Sequence, residues 1–156
     1  MELNDIRRKH VADCFSLDAS QCFVDYRDFF QHPVEADAVM ICTPENMHFE
    51  PTMQAIERGY HILLEKPIAQ TLEECMLIAQ AARKHDVLVS VCHVLRYHPY
   101  FMKIKELVDS GELGNIISIN HRTSVGLDRT AHGFVRGLWR KEAVTNPMLM
   151  SKCCHD

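Results

Sequence analysis

The sequence predicts an α/β fold built on a parallel, doubly wound sheet, and three observations carry that reading. Short continuous apolar runs such as Ala38-Val39-Met40-Ile41-Cys42 have the length of buried strands. Segments with helical spacing of apolar residues separate them. Proline and glycine punctuate the junctions, and alternation of this kind argues for strand–helix–strand units.

The elements follow in order. Asn4 to Phe15 places Ile6, Val11, Cys14 and Phe15 at helical spacing. Cys22-Phe23-Val24 is a short apolar piece before a helical turn around Tyr26 to Phe30. Asp37 to Cys42 is a buried-type strand closed by Thr43-Pro44. A helix from about Asn46 to Arg58 ends at Gly59, which has the character of a C-terminal cap. Tyr60 to Glu65 is the next strand, stopped by Pro67. Thr71-Leu72-Glu73-Glu74 is a capping box that starts a helix running through about His85. Its inner face is expected to be Leu72, Cys75, Met76, Ala79 and Ala82. Val87 to Val94 is a third buried strand, and Pro99 suits the first turn of a helix, Tyr100 to Ser110. Ile116 to His121 alternates apolar and polar, as a strand with one wet face does. From about Asn115 the character changes, with more glycine and a lone Trp139, so a second domain is expected to begin there: residues 1–114 form one unit and 115–156 the start of another.

Composition bounds the function. The 156 residues make one domain or one and a piece, at a prior of about 150 residues each. With 47% hydrophobic and 24% charged residues the chain is ordinary globular material, neither a disordered tail nor a fibre. A net charge of -4 gives no electrostatic reason to expect nucleic acid or anionic membrane as partner. No apolar run approaches the roughly 18 residues that span a bilayer, and Met1 to Arg8 has no apolar core of a secretory signal. Seven cysteines without a Cys-x-x-Cys pair read as reduced thiols, and the location expected is cytoplasmic. The six glycines (59, 111, 114, 126, 133 and 137) include no Gly-x-Gly, so neither a dinucleotide fingerprint nor a P-loop is present.

Glu65-Lys66-Pro67, after a buried strand and preceded by Cys42-Thr43-Pro44 and His48, resembles the Gfo/Idh/MocA family of NAD(P)-dependent oxidoreductases. The resemblance continues in order through Arg96-Tyr97-His98-Pro99, Gly111-Glu112-Leu113-Gly114, Arg136-Gly137-Leu138-Trp139-Arg140 and His155-Asp156. It implies a Rossmann-like domain for NAD or NADP, followed by the start of an α+β substrate domain. It also implies hydride transfer to or from a sugar, polyol or related alcohol. Carried over residue by residue, Thr43, Pro44 and His48 lie near the cofactor. Glu65 and Lys66 border the nicotinamide, with Lys66 reaching the reacting oxygen. Arg96, Trp139 and Arg140 approach the cofactor, and His155 takes the place of the catalytic histidine. Glu2 aligns with the acidic residue that reads the adenosine ribose. The chemistry is consistent: hydride removal from an alcohol needs a base for the hydroxyl proton and a cation near the developing oxyanion. Histidine, with an ordinary pKa of about 6.5, suits the first role and lysine the second.

Against the family pattern, the first strand, the glycine-rich turn and its helix are missing, and most of the second domain is absent after Asp156. Ser151 stands where many members carry aspartate, four residues before the catalytic histidine. The expectation is therefore an incomplete doubly wound sheet, inactive alone. The alternative is a non-catalytic binding or assembly module using an open sheet edge, with a homo-oligomer as one form of it. Trp139-Arg140 reads equally as a packing anchor with a surface arginine, and Cys92 and His93 read as core. Cys153-Cys154-His155 does not make a zinc site, since no second ligand pair accompanies it; no metal is expected.

Overall fold

The structure is a computed structural model. It describes the chain except Pro33, Thr123, Val125, Leu138, Trp139 and residues 141–147 and 153–156, together with the side chains of Arg129, Met148 and Leu149. Three strands, β1 (Ala38–Ile41), β2 (His61–Leu64) and β3 (Val89–Val91), pair in parallel in that order. Parallel neighbours need crossovers, and helices α3 (Phe49–Glu57) and α4 (Leu72–His85) supply them. Successive right-handed crossovers moving one way across a sheet put both helices on the same face. The register agrees: Val39, Ile62 and Val89 are aligned, as are Ile41, Leu64 and Val91, and this face carries the buried residues.

Ile41, Ile62 and Leu64 meet Ala55 and Ile56 of α3 and Ile78 and Ala82 of α4 in one core. The opposite face, with Ala38, Met40, His61 and Ser90, is exposed among the described residues, Met40 to 71%. The parallel sheet expected from the sequence is thus present, with its helical cover on one side.

N-terminal to the sheet lie α1 (Asp5–Phe15) and α2 (Tyr26–Gln31). Asn4 caps α1 by accepting from the Arg7 amide, and Asp25 caps α2 by accepting from the Arg27 amide. Tyr26 and Phe30 of α2 join the core. Two long-range bonds fix this part to the sheet: Arg58 Nε donates to the Phe30 carbonyl (3.0 Å) and the Tyr60 hydroxyl to the Val34 carbonyl (2.8 Å). The apolar residues of α1 find no such cover among the described residues; Ile6 and Phe15 are largely exposed.

The Thr71 capping box forms as expected, the Glu74 amide donating to Thr71 Oγ1 and Glu74 accepting from the Thr71 amide. The inner face of α4 differs from expectation. Cys75, Ile78, Ala81 and Ala82 turn inward, whereas Leu72, Met76 and Ala79 are exposed. At 3.6 residues per turn, positions 75, 78 and 82 lie within one sector, and 72, 76 and 79 fall in the sector beside it. Pro99 begins α5 (Pro99–Asp109), with His98 Nδ1 accepting from the Tyr100 amide. The strand expected over Ile116 to His121 is not formed: the segment has no regular structure, and Ile117 and Ile119 are 97% and 83% exposed. An alternating pattern becomes a strand only against a neighbour, and no neighbour is present among the described residues. Helix α6 (Leu127–Thr130) continues into a π-type turn, Ala131–Val135, and α7 spans Met148–Lys152. A side chain at Gly137 would run into the backbone carbonyls of His132 and Gly133, which accounts for glycine there.

Gly59, after α3, has φ +78°, and a Cβ there would meet nothing. Gly59→Ala therefore tests backbone conformation alone and is expected to cost about 1 kcal/mol. Leu64→Ala, at a fully buried position, should cost about 2–5 kcal/mol. Urea unfolding of the two variants checks the order; equal losses would contradict the placement of Leu64 in the core.

Candidate functional site at the carboxyl ends of the strands

The loops following β1 and β2 lie side by side, because their strands are paired and parallel. Ligands of open α/β sheets bind at such carboxyl ends. A short turn, Glu45–Met47, follows Thr43-Pro44, and the Lys66–Pro67 peptide after β2 is cis. A cavity of about 1030 Å³ opens here and runs along β1. It brings together five of the sequence-derived site residues: Glu2, Thr43, Pro44, Glu65 and Lys66.

His48 lies behind the cavity and is 1% exposed. Its Nδ1 faces the Pro67 carbonyl at 2.8 Å and its Nε2 the Thr43 carbonyl at 2.9 Å. The ring therefore joins the two loops, and Thr52 Oγ1 donates to the His48 carbonyl at 2.6 Å to hold it on α3. A neutral imidazole has one N–H and satisfies one of these carbonyls at a time; the charged ring satisfies both. In this position His48 acts on the cavity through the loops it joins.

Lys66 Nζ donates to the Ser151 carbonyl of α7 at 2.7 Å. Ser151 Oγ in turn donates to Oε1 of Glu45, a carboxylate only 7% exposed. These two bonds hold the last described helix against the strand ends. Glu45, Ser151 and Lys152 were not selected from the sequence as site residues. The Glu45–Ser151 pair spans 106 residues, and no local pattern could have announced it. Glu2 sits at the far end of the cavity. Its amide donates to the Phe23 carbonyl (3.2 Å), and its carboxylate accepts from the Asn4 amide (2.9 Å). Arg96, on the turn Val94–Tyr97, and Arg140 are exposed and do not line the cavity. Trp139 and His155 lie outside the described residues.

Tyr26 also lines the cavity; its hydroxyl donates to Glu50. Burial, and then that carboxylate, push its phenol up to about 12. Desolvation raises the Cys42 and Cys92 thiols, and the Glu65 carboxylate raises both further. Among the described residues no group of three or more His, Cys, Asp or Glu side chains could hold a metal ion. No described helix is long and apolar enough to cross a membrane.

A parallel sheet with a cavity at its strand ends defines the class: an open α/β protein, with its cavity where such sheets bind ligands. The profile of the family described as "Oxidoreductase family, NAD-binding Rossmann fold" (GFO_IDH_MocA) matches residues 2–93, more than half of the sequence. The chain belongs to this family. It is 40% identical over 90 residues to the uncharacterised oxidoreductase YrbE of Bacillus subtilis, covering 58% of this chain and 26% of that protein. It is 39% identical over 80 residues to scyllo-inositol 2-dehydrogenase (NADP(+)) IolW of the same organism, covering 51% of this chain and 22% of that protein. Among solved structures it is similar to an inositol dehydrogenase homologue from Azotobacter vinelandii complexed with NADH and myo-inositol. There the TM-score is 0.67 at 29% identity, over 74% of this chain and 32% of that one. The chain spans about a quarter of the length of the curated relatives it matches.

Two predictions come from this geometry. His48→Ala leaves a buried hole and removes the ring nitrogens that face the two loop carbonyls. It is expected to cost about 2–4 kcal/mol in urea unfolding; a loss below about 1 kcal/mol would show that the clasp does not hold the loops. The second concerns the thiols. A raised pKa keeps them protonated and unreactive near neutrality, and alkylation of Cys42 and Cys92 should accelerate only as pH rises past the ordinary thiol range. Glu65→Gln removes a like charge, lowers both pKa values and should speed alkylation at fixed pH. Peptide mass spectrometry after iodoacetamide reads this, and unchanged rates would remove Glu65 from the causes.

Proposed function

We propose that the cavity holds the nicotinamide and ribose ends of NAD or NADP. We further propose that the protein of which this site is part transfers hydride between that cofactor and a sugar, polyol or related alcohol. The observation that carries this reading is the Lys66 contact with Ser151. It brings an ammonium, a cavity lined in part by carboxylates and helix α7 to the same strand ends. The family's description and the names of the inositol dehydrogenase relatives support it.

The residues present fit part of a dinucleotide. Thr43, Pro44, Glu65 and Lys66 suit the nicotinamide end, and the Glu2 carboxylate is an acceptor for ribose hydroxyls. For the pyrophosphate, the six glycines form no Gly-x-Gly turn whose backbone amides could cradle it. When bound, the cofactor supplies the hydride chemistry. The chain's own groups do the rest. Lys66 places positive charge beside the oxygen on which negative charge develops. His155, four residues beyond Ser151, takes or returns the hydroxyl proton. Glu65 sets the field around Lys66, and the His48 clasp holds both loops in register.

A titration of the purified chain with NADH and NADPH, following quenching of Trp139, tests the reading. Saturable binding is expected, with a dissociation constant near about 1 mM because the pyrophosphate lacks its cradle. No turnover of myo-inositol is expected. Absence of binding by either nucleotide would overturn the cofactor assignment, and turnover would overturn the expectation that the chain is inactive alone.

A further inference from the structure

Helix α4 carries a second apolar strip, outside the sector that meets the core. Leu72, Met76 and Ala79 are exposed, Leu72 to 76% and Met76 to 52%. At 3.6 residues per turn these three and Arg83 fall within a sector of about 60°, so the strip runs along the helix for about three turns. Charge is divided between its ends: Glu73 stands in the first turn, Arg83 and Lys84 in the last. Glu74, the other acidic residue of the first turn, accepts from the Gln70 and Thr71 amides instead. Among the described residues no ion pair involves Glu73, Arg83 or Lys84. Glu73 cannot reach Arg83 on its own helix, where the intervening rise is about 15 Å.

We propose that this strip is the contact face of a homodimer, in which α4 packs antiparallel on α4 of a second copy. The two-fold axis passes between Met76 and Ala79. Size and charge select a second copy as the occupant. Across the axis the long Met76 side chain meets the small side chain of the partner's Ala79, and symmetry forms that contact twice. Leu72 meets the apolar stem of the partner's Arg83. Charge fixes the direction: antiparallel packing sets Glu73 beside the partner's Arg83 and Lys84, again twice. Parallel packing would set like charges side by side. One helix face of this length buries well below the roughly 800 Å² per partner of a standard interface, so the dimer is weak, with a dissociation constant of about 0.1–1 mM. The inference rests on the outer face of α4, independently of any cofactor.

Sedimentation equilibrium of the chain, at concentrations up to about 1 mM and at two salt levels, reads the association. A monomer–dimer equilibrium that weakens as salt rises is expected. Met76→Asp puts a charge at the centre of the strip and should abolish the dimer. Glu73→Lys alone, or Arg83→Glu together with Lys84→Glu, should each weaken it by about tenfold. All three charge reversals in one chain should restore it, because opposite charges then face each other again. Circular dichroism and urea unfolding check that each variant folds. The combined variant guards against a folding artefact: every reversal in it opposes the helix dipole, so regained association cannot come from a firmer helix. A monomer at every concentration would overturn the proposal and leave the strip to a different chain. So would a dimer indifferent to Met76→Asp, or a combined variant that associates no better than its parts.

Discussion

The His48 imidazole, fully enclosed between the Thr43 and Pro67 carbonyls, is the contact on which the site geometry depends. Parallel pairing brings the ends of β1 and β2 close, but it does not fix the loops beyond them. Those loops carry their own backbone polar groups, and buried carbonyls left without donors cost about 1–3 kcal/mol each. One ring turns a nitrogen toward each loop and donates to at least one of the two carbonyls. The clasp also explains why Lys66 can serve as a fixed charge. Its stem leaves a loop pinned one residue further on, and its ammonium has a partner in the Ser151 carbonyl.

The same arrangement links distant parts of the chain. Ser151 is tied to β2's loop through Lys66 and to β1's loop through Glu45. A helix of five residues has little stability of its own, so these two bonds position α7 more than helical propensity does. Glu45 is a buried carboxylate whose hydroxyl partner comes from across the fold. The Ser151 hydroxyl offsets part of its cost of burial while that helix is docked, which couples Glu45 to Ser151.

Much of this was legible in the sequence. Local chemistry announced the Thr71 capping box, the Gly59 terminus, the Pro99 start and the three apolar strands, because each rests on residues within one turn or one strand. The motif residues Thr43, Pro44, Glu65 and Lys66 line one cavity. What could not be read was set by contacts between distant segments. His48, expected near the cofactor, turns its ring nitrogens to the carbonyls of two loops. The α4 face was only partly assigned, Cys75 and Ala82 correctly, because apolar residues run on into the neighbouring sector of that helix and packing chooses between the sectors. Ile116 to His121 has a strand's alternation but no strand pairs with it among the described residues, so pattern alone did not make it a strand.

Strand β1 and the site share one cavity, and this constrains how either works. Ala38 and Met40 line the same space that Thr43 and Lys66 close at the strand ends. The Thr43 loop begins where β1 ends, and the His48 ring joins that loop to the one after β2. A change that loosens β1 is therefore expected to loosen both loops, even where it touches none of their side chains.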